Sequence, residues 1–230
     1  MSHAMVITID GAAGTGKTTV SQGLAQRLGW TCLDTGAMYR AVALIAIDRS
    51  IDPTDGVALA DMTRELGMVF DFTVSPPRLV VDGSPVGDRI RDLDVGSIVS
   101  IVAAQPPVRS VLVALQREVA NCHPRLVSEG RDQGSVVFPD AMIRFYLTAD
   151  ATIRTRRRSL QLEASGKKVD PTAVAKEIED RDRIDSTRAE APLIKPDGAV
   201  VVDTSTQSSD EVIKEMEDIV RAILSEGDLS

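Results

Sequence analysis

Histidine, cysteine, asparagine and aromatic side chains are all scarce in this chain. Its 230 residues include two histidines, two cysteines and one tryptophan, and aromatics make up 3%. His3 lies at the very start and His123 sits beside Pro124, so chemistry centred on histidine is not expected. Cys32 and Cys122 lie far apart, with no C-x-x-C and no histidines at zinc-ligand spacing. That excludes a disulfide framework and a zinc site, and both thiols are expected to be buried in a reducing cytoplasm. The single asparagine, Asn121, is followed by Cys122, so the N-K-x-D signature of guanine-specific switches is missing. No apolar run approaches the ~18 residues of a membrane span. A secretory leader is not expected either, because an apolar strand begins directly after Met1-Ser2-His3-Ala4, which reads as a disordered start. Positive charge is in deficit as well. A net charge of −8 argues against a binder of nucleic-acid polymers or membrane surfaces.

What is present is ordinary in bulk and specific in detail. A hydrophobic fraction of 43% and a charged fraction of 26% suit one α/β domain with insertions. The stretch Asp10-Gly11-Ala12-Ala13-Gly14-Thr15-Gly16-Lys17-Thr18 fits G-x-x-x-x-G-K-[ST], the phosphate-binding P-loop. Before it runs Met5-Val6-Ile7-Thr8-Ile9, which reads as a buried strand. After it, from Thr19, come Val20, Leu24 and Leu28 at helical spacing. In that context backbone N–H groups from Gly11 to Thr19 can cradle a triphosphate, and glycine lets the chain approach the oxygens closely. Lys17 can reach the β- and γ-phosphates, and the Thr18 hydroxyl can hold Mg²⁺. The arginines are clustered: Arg154, Arg156, Arg157 and Arg158, then Arg181, Arg183 and Arg188. In an acidic protein this suggests a small anionic ligand met at one site, although solvated helix faces would explain about half of them.

Further elements follow in order. Helices are expected at 36–47, with Met38, Val42, Leu44 and Ile45 as the apolar side, and at 55–66. Residues 67–89 change character, with extended pieces at 68–70, 78–81 and 85–86 separated by proline and Asp-Gly turns. They read as a small antiparallel element. Helices are expected at 94–104, from Pro106 to about 120, at 151–164 and 171–183 around a Ser165-Gly166-Lys167-Lys168 joint, and at 209–224. Apolar strands are expected at 125–130, 143–147 and 199–203. Strands alternating with helices imply a parallel sheet covered on both faces. Such sheets bind ligands at the C-terminal ends of their strands. Four polar segments fall at such places: 33–40, 129–134, 154–158 with the following loop, and 180–188. Each alone reads equally well as a cap, a turn or a solvated face.

Several long motifs in this order resemble the bacterial cytidylate kinases of the nucleoside monophosphate kinase family. They are Ile9-Asp10-Gly11 with the P-loop, Asp34-Thr35-Gly36-Ala37-Met38-Tyr39-Arg40, and Glu129-Gly130-Arg131-Asp132 with Gly134 and Val136-Val137-Phe138-Pro139-Asp140-Ala141. Arg181-Asp182 and Asp185-Ser186-Thr187-Arg188-Ala189, followed by Ala191-Pro192-Leu193, complete the set. The resemblance runs from about Val6 to the last helix, and the inserted β element resembles the enlarged monophosphate-binding region of the bacterial type. It departs in two places. Thr35 stands where the family often has serine, which keeps a hydroxyl, and Ala12 stands where proline is frequent, which affects rigidity rather than chemistry.

The resemblance implies a single P-loop NTPase domain of three parts. These are a core (1–35, 105–153 and 169–230), a monophosphate-binding arm (about 36–104) and a helical lid (about 154–168) that closes over ATP. It implies ATP-dependent phosphorylation of CMP, and of dCMP, with Mg²⁺, in a cytoplasmic protein that is expected to be a monomer. The base would meet Thr35, Ser100, Arg109 and Asp132. Arg181 and Asp185 would hold the sugar hydroxyls, and Arg40, Arg131 and Arg188 the monophosphate. Four lid arginines within five positions cannot all face one way, and Arg157 is the one favoured for ATP and catalysis, beside Lys17, Arg131 and Arg188. Two rivals stay open: another small-molecule kinase on the same fold, and a non-catalytic nucleotide-binding module.

Overall fold

The computed structural model describes residues 4–164, 166 and 168–227. β1 (Met5–Gly11) leads into α1 (Lys17–Leu28), β2 (Thr31–Asp34), α2 (Thr35–Asp48) and α3 (Gly56–Glu65). An insert of β3 (Val69–Asp71), β4 (Arg78–Val81) and β5 (Ser84–Pro85) follows, then α4 (Leu93–Ala103), α5 (Pro106–Cys122), β6 (Arg125–Gly130) and β7 (Ile143–Thr148). The remaining elements are α6 (Ala151–Ala164), α7 (Pro171–Thr187), β8 (Val200–Asp203) and α8 (Ser209–Gly227).

Alternation along β1 sets the centre of the molecule. Ile7 and Ile9 join a cluster with Val20 and Leu24 of α1 and Val212 and Met216 of α8. Val6 turns the other way, against Leu33, Leu126 and Ala120 of α5. Thr8 and Asp10 share the face of Val6 and are fully buried despite their polarity. β1 pairs in parallel with β6 and β7, and β2 and β8 extend the sheet to the order β2-β6-β1-β7-β8. The loop after β1 therefore opens at the middle of the sheet. β3, β4 and β5 form a separate antiparallel sheet, as residues 67–89 predict.

Several expectations need correction. β2 is an element beyond those read along the sequence, because four residues carry too little pattern and edge pairing with β6 makes the strand. α2 is buried nearly all round: Ala37, Ala41, Ala43 and Ala46 are in the core with Met38, Tyr39 and Val42, while Leu44 and Ile45 are only partly buried. Small residues let α3, α4 and α5 close in, so the widest side chains do not mark the inner face. α7 runs four residues past Arg183, since Asp185 continues the buried line of Val174 and Ile178. Cys32 is buried as expected, but Cys122 is exposed, because it ends α5 on the outer side. A 3₁₀ turn at Asp88–Arg91 and a π-type turn at Gln133–Val137 carried no sequence pattern. Met1, Ser2 and His3 of the expected disordered start, and Ser165 and Lys167 in the joint, lie outside the described residues, while Ala4 is half-buried against the cluster around Val6.

Candidate functional site

The loop between β1 and α1 is shaped by its glycines. Gly14 and Gly16 take positive φ of 78° and 91°, which an L side chain resists. At Gly11 a Cβ would run into the Leu147 carbonyl oxygen of β7, so strand packing forces glycine there. The Lys17 ammonium donates to the Ala12 carbonyl at 2.8 Å and is buried. Burial first, and repulsion from Arg131 second, lower its pKa to about 7. Glu129 at the end of β6 is raised to about 7 by burial and by Asp34, while Lys17 and a hydrogen bond from the Thr18 side chain pull it back. Residues from Ala13 to Thr19 line a cleft of about 740 Å³, a size suited to small ligands. Gly11 and Ala12 lie behind that lining.

The same cleft continues to the acceptor-side residues predicted from sequence. Thr35, Arg40, Ser100, Arg109, Arg131, Asp132, Arg181, Asp185 and Arg188 all border it. Thr35 opens α2, whose first turn is capped by Asp34 through the Ala37 N–H at 3.0 Å, and its hydroxyl donates to the Glu129 carbonyl at 2.7 Å. Asp132 and Arg109 form a buried ion pair, with Arg188 3.9 Å from the same carboxylate oxygen. Tyr39 supports this corner: its hydroxyl accepts from Arg109 at 3.3 Å, and its ring lies 5.9 Å from the guanidinium carbon. Arg131 donates to Asp185 at 2.9 Å. Burial pushes the Asp185 carboxyl up, but Arg131, Arg181 and Arg188 outweigh it and hold it below the usual carboxylate range. Arg188 donates to the Ala191 carbonyl at 2.6 Å and Arg40 to the Ile90 carbonyl at 3.1 Å.

Cations crowd one another here. Burial, then Arg181 and Arg158, depress Arg40 to about 9, and burial and Arg131 lower Arg181. Such mutual repulsion marks a place built for an anion. The arginines of α6 divide as helical geometry requires. Arg157 and Arg158 border the cleft, Arg154 turns to Asp182 and the Ala13 carbonyl, and Arg156 is exposed. Arg157 donates to the Thr204 carbonyl at 2.6 Å and to its hydroxyl at 2.9 Å, and that hydroxyl in turn donates to the Thr15 carbonyl at 3.0 Å.

Sequence reasoning missed Arg158, Tyr39, Glu129, Asp10 and Thr204 as parts of the site. Arg158 was present only as one of four candidates. Tyr39 and Glu129 lay inside motifs whose flanking residues took the attention. Asp10 stood inside the Ile9-Asp10-Gly11 motif with no role of its own, and Thr204 reads as a loop residue without a local signal.

A parallel five-stranded sheet with this loop between β1 and α1 is the P-loop NTPase fold. A solved structure of an uncharacterized protein from Eubacterium ventriosum covers 96% of the chain and is itself covered to 99%. Its TM-score of 0.50 at 14% identity is a likeness of fold alone. A family profile described as cytidylate kinase matches residues 7–222. The cytidylate kinase of Rhodococcus jostii is 46% identical over 209 residues, 91% of each protein. That of Mycobacterium avium is 45% identical over 96% of this chain and 97% of its own. The chain belongs to the cytidylate kinase family: it is an enzyme of nucleotide phosphorylation. Among the described residues no single helix is long and apolar enough to cross a membrane.

Proposed function

We propose that the enzyme transfers the γ-phosphoryl group of ATP to CMP, and to dCMP, giving ADP and the cytidine diphosphate. The observation that carries this reading is the buried Asp132–Arg109 pair facing the cleft beyond the P-loop. The exocyclic amine of cytosine is a donor and needs an acceptor such as Asp132, while its ring nitrogen and carbonyl need donors such as Arg109. Uracil presents a carbonyl where cytosine has its amine, and an ionised carboxylate repels it. Thr35 and Ser100 complete the base site, Arg181 and Asp185 hold the sugar, and Arg40, Arg131 and Arg188 clamp the monophosphate.

An oxygen of the CMP phosphate forms the new bond to the γ-phosphorus. The bond from that phosphorus to the bridging oxygen breaks, and ADP leaves with the electron pair. The attacking oxygen is already anionic near neutral pH, so no strong general base is needed, in keeping with the shortage of histidine. Lys17, Arg131, Arg157 and Arg188 surround the transferring group and stabilise its charge. The segment at about 154–168 acts as a lid over ATP, and the arm at about 36–104 carries the acceptor; closure excludes water that would hydrolyse ATP.

A magnesium ion fits the oxygen chemistry at the head of the loop. The Thr18 hydroxyl and the Glu129 carboxylate meet there, and Oε1 of Glu129 is buried with no hydrogen-bond partner among the described residues. No group of three acidic, histidine or cysteine side chains that could hold a metal ion occurs among the described residues, so phosphate oxygens and water would complete the shell. When bound, the ion neutralises charge on the β- and γ-phosphates. The enzyme works as a cytoplasmic monomer. Initial rates with CMP, dCMP, UMP and AMP at fixed Mg-ATP test the reading. CMP and dCMP are expected to lead, and a preference for AMP or UMP sinks it.

A further inference from the structure

Asp132 precedes the Gln133–Val137 turn, at the position where a short polar side chain ordinarily bonds the free N–H groups of a first turn. It makes no such bond. Its carboxylate faces Arg109 and Arg188 instead. The first two N–H groups of the turn are taken by a residue from far along the chain. Asp10 accepts from the Gln133 N–H through Oδ1 and from the Gly134 N–H through Oδ2, each at 2.8 Å. Asp10 is fully buried, pairs in register with Gly130, and is followed directly by Gly11 of the P-loop. The turn is seated flush on β1: a Cβ on Gly134 would lie 2.7 Å from the Thr8 hydroxyl. Burial raises the Asp10 carboxyl to about 6 against the pull of the two N–H groups, so a group costly to bury is kept at this spot.

We propose that Asp10 is a positioning residue that sets base specificity: by capping the 133–137 turn in place of Asp132, it releases the Asp132 carboxylate to the cleft. The proposal rests on the reading of Asp132 as the acceptor for cytosine. An aspartate beside unbonded N–H groups tends to bond them itself. Without Asp10, Asp132 turns back onto its own turn, Arg109 loses its carboxylate, and the cytosine amine loses its acceptor. The same carboxylate ties the root of the triphosphate loop to the base reader, two parts of the site far apart in sequence.

Asp10→Asn keeps the shape and removes one of the two acceptors. Initial rates with CMP and UMP at fixed Mg-ATP are expected to show the CMP-to-UMP ratio of kcat/KM falling about tenfold or more, through a higher KM for CMP, with KM for ATP within about twofold of wild type. A merely structural role lowers both substrates alike, so an unchanged ratio overturns the proposal. Asp132→Asn is the control: if it leaves the ratio at the wild-type value, the reading of Asp132 fails rather than the cap. Should Asp10→Asn not fold at the assay temperature, Asp10→Ser, whose hydroxyl still accepts one N–H, is measured in the same way and the same ratio decides.

Discussion

At the scale of single residues, protonation and charge make the sharpest predictions. Burial and the neighbouring Arg131 lower the Lys17 pKa to about 7, far below the ordinary lysine range. A bound triphosphate favours the charged form and raises that pKa, so at pH above 7 binding takes up a proton and affinity falls as pH climbs. Glu129, also raised, moves in the same direction when the nucleotide comes without metal. Calorimetry of metal-free ATP at pH 7.5 in two buffers of different ionisation enthalpy measures the uptake; zero or net release contradicts it. Arg188→Met is expected to lose turnover about a hundredfold or more with its fold kept, since the proposed mechanism sets that guanidinium against the transferring group. Near-normal turnover removes Arg188 from the proposed machinery. The residues placed from motifs border one cleft, and they could be picked out along the chain because their chemistry is local: a lysine in a glycine-rich loop, or an arginine in a charged run. Asp10 was not, since what it does depends on Gln133 and Gly134, which only folding brings to it.

At the scale of elements, pattern and strain decide. β1, β6 and β7 were readable because each is an apolar run long enough to stand out, and α5 because its apolar period is clear after Pro106-Pro107. β2 and the turn at Gln133–Val137 were not, because tertiary pairing and capping make them rather than their own residues. The close contact of β1 with β7 at Gly11 gives a test. Gly11→Ala adds a Cβ against the Leu147 carbonyl oxygen, in a backbone that L residues avoid. A loss of about 1–3 kcal/mol is expected. A chain of this length should then show a fall in Tm of roughly 2–4 °C per kcal/mol in a thermal scan. A neutral Tm would mean that the end of the strand relaxes freely.

At the scale of the whole molecule, the charge is divided. The chain carries −8 overall, yet Lys17, Arg40, Arg131, Arg158 and Arg181 border one partly buried hollow, where burial first and neighbouring cations second lower Lys17, Arg40 and Arg181. Folding without an anion therefore works against this repulsion, and an anion that binds only the folded form stabilises it by mass action. Inorganic phosphate is expected to raise Tm more than chloride at equal ionic strength. Equal rises would mean simple screening of surface charge.

Four of the five cations assigned to phosphate share one habit. Lys17 rests on the Ala12 carbonyl, Arg40 on Ile90, Arg157 on Thr204 and Arg188 on Ala191. Arg109, assigned to the base, instead holds the Asp132 carboxylate, and Arg131, the remaining cation assigned to phosphate, holds Asp185. Bonds to neutral carbonyls are worth less than bonds to carboxylates. A phosphate that meets Lys17, Arg40, Arg157 and Arg188 thus displaces neutral holders, and at Arg131 it competes with the Asp185 carboxylate. The hollow is kept at rest by the main chain, which side-chain substitution cannot delete, and it surrenders its cations on contact.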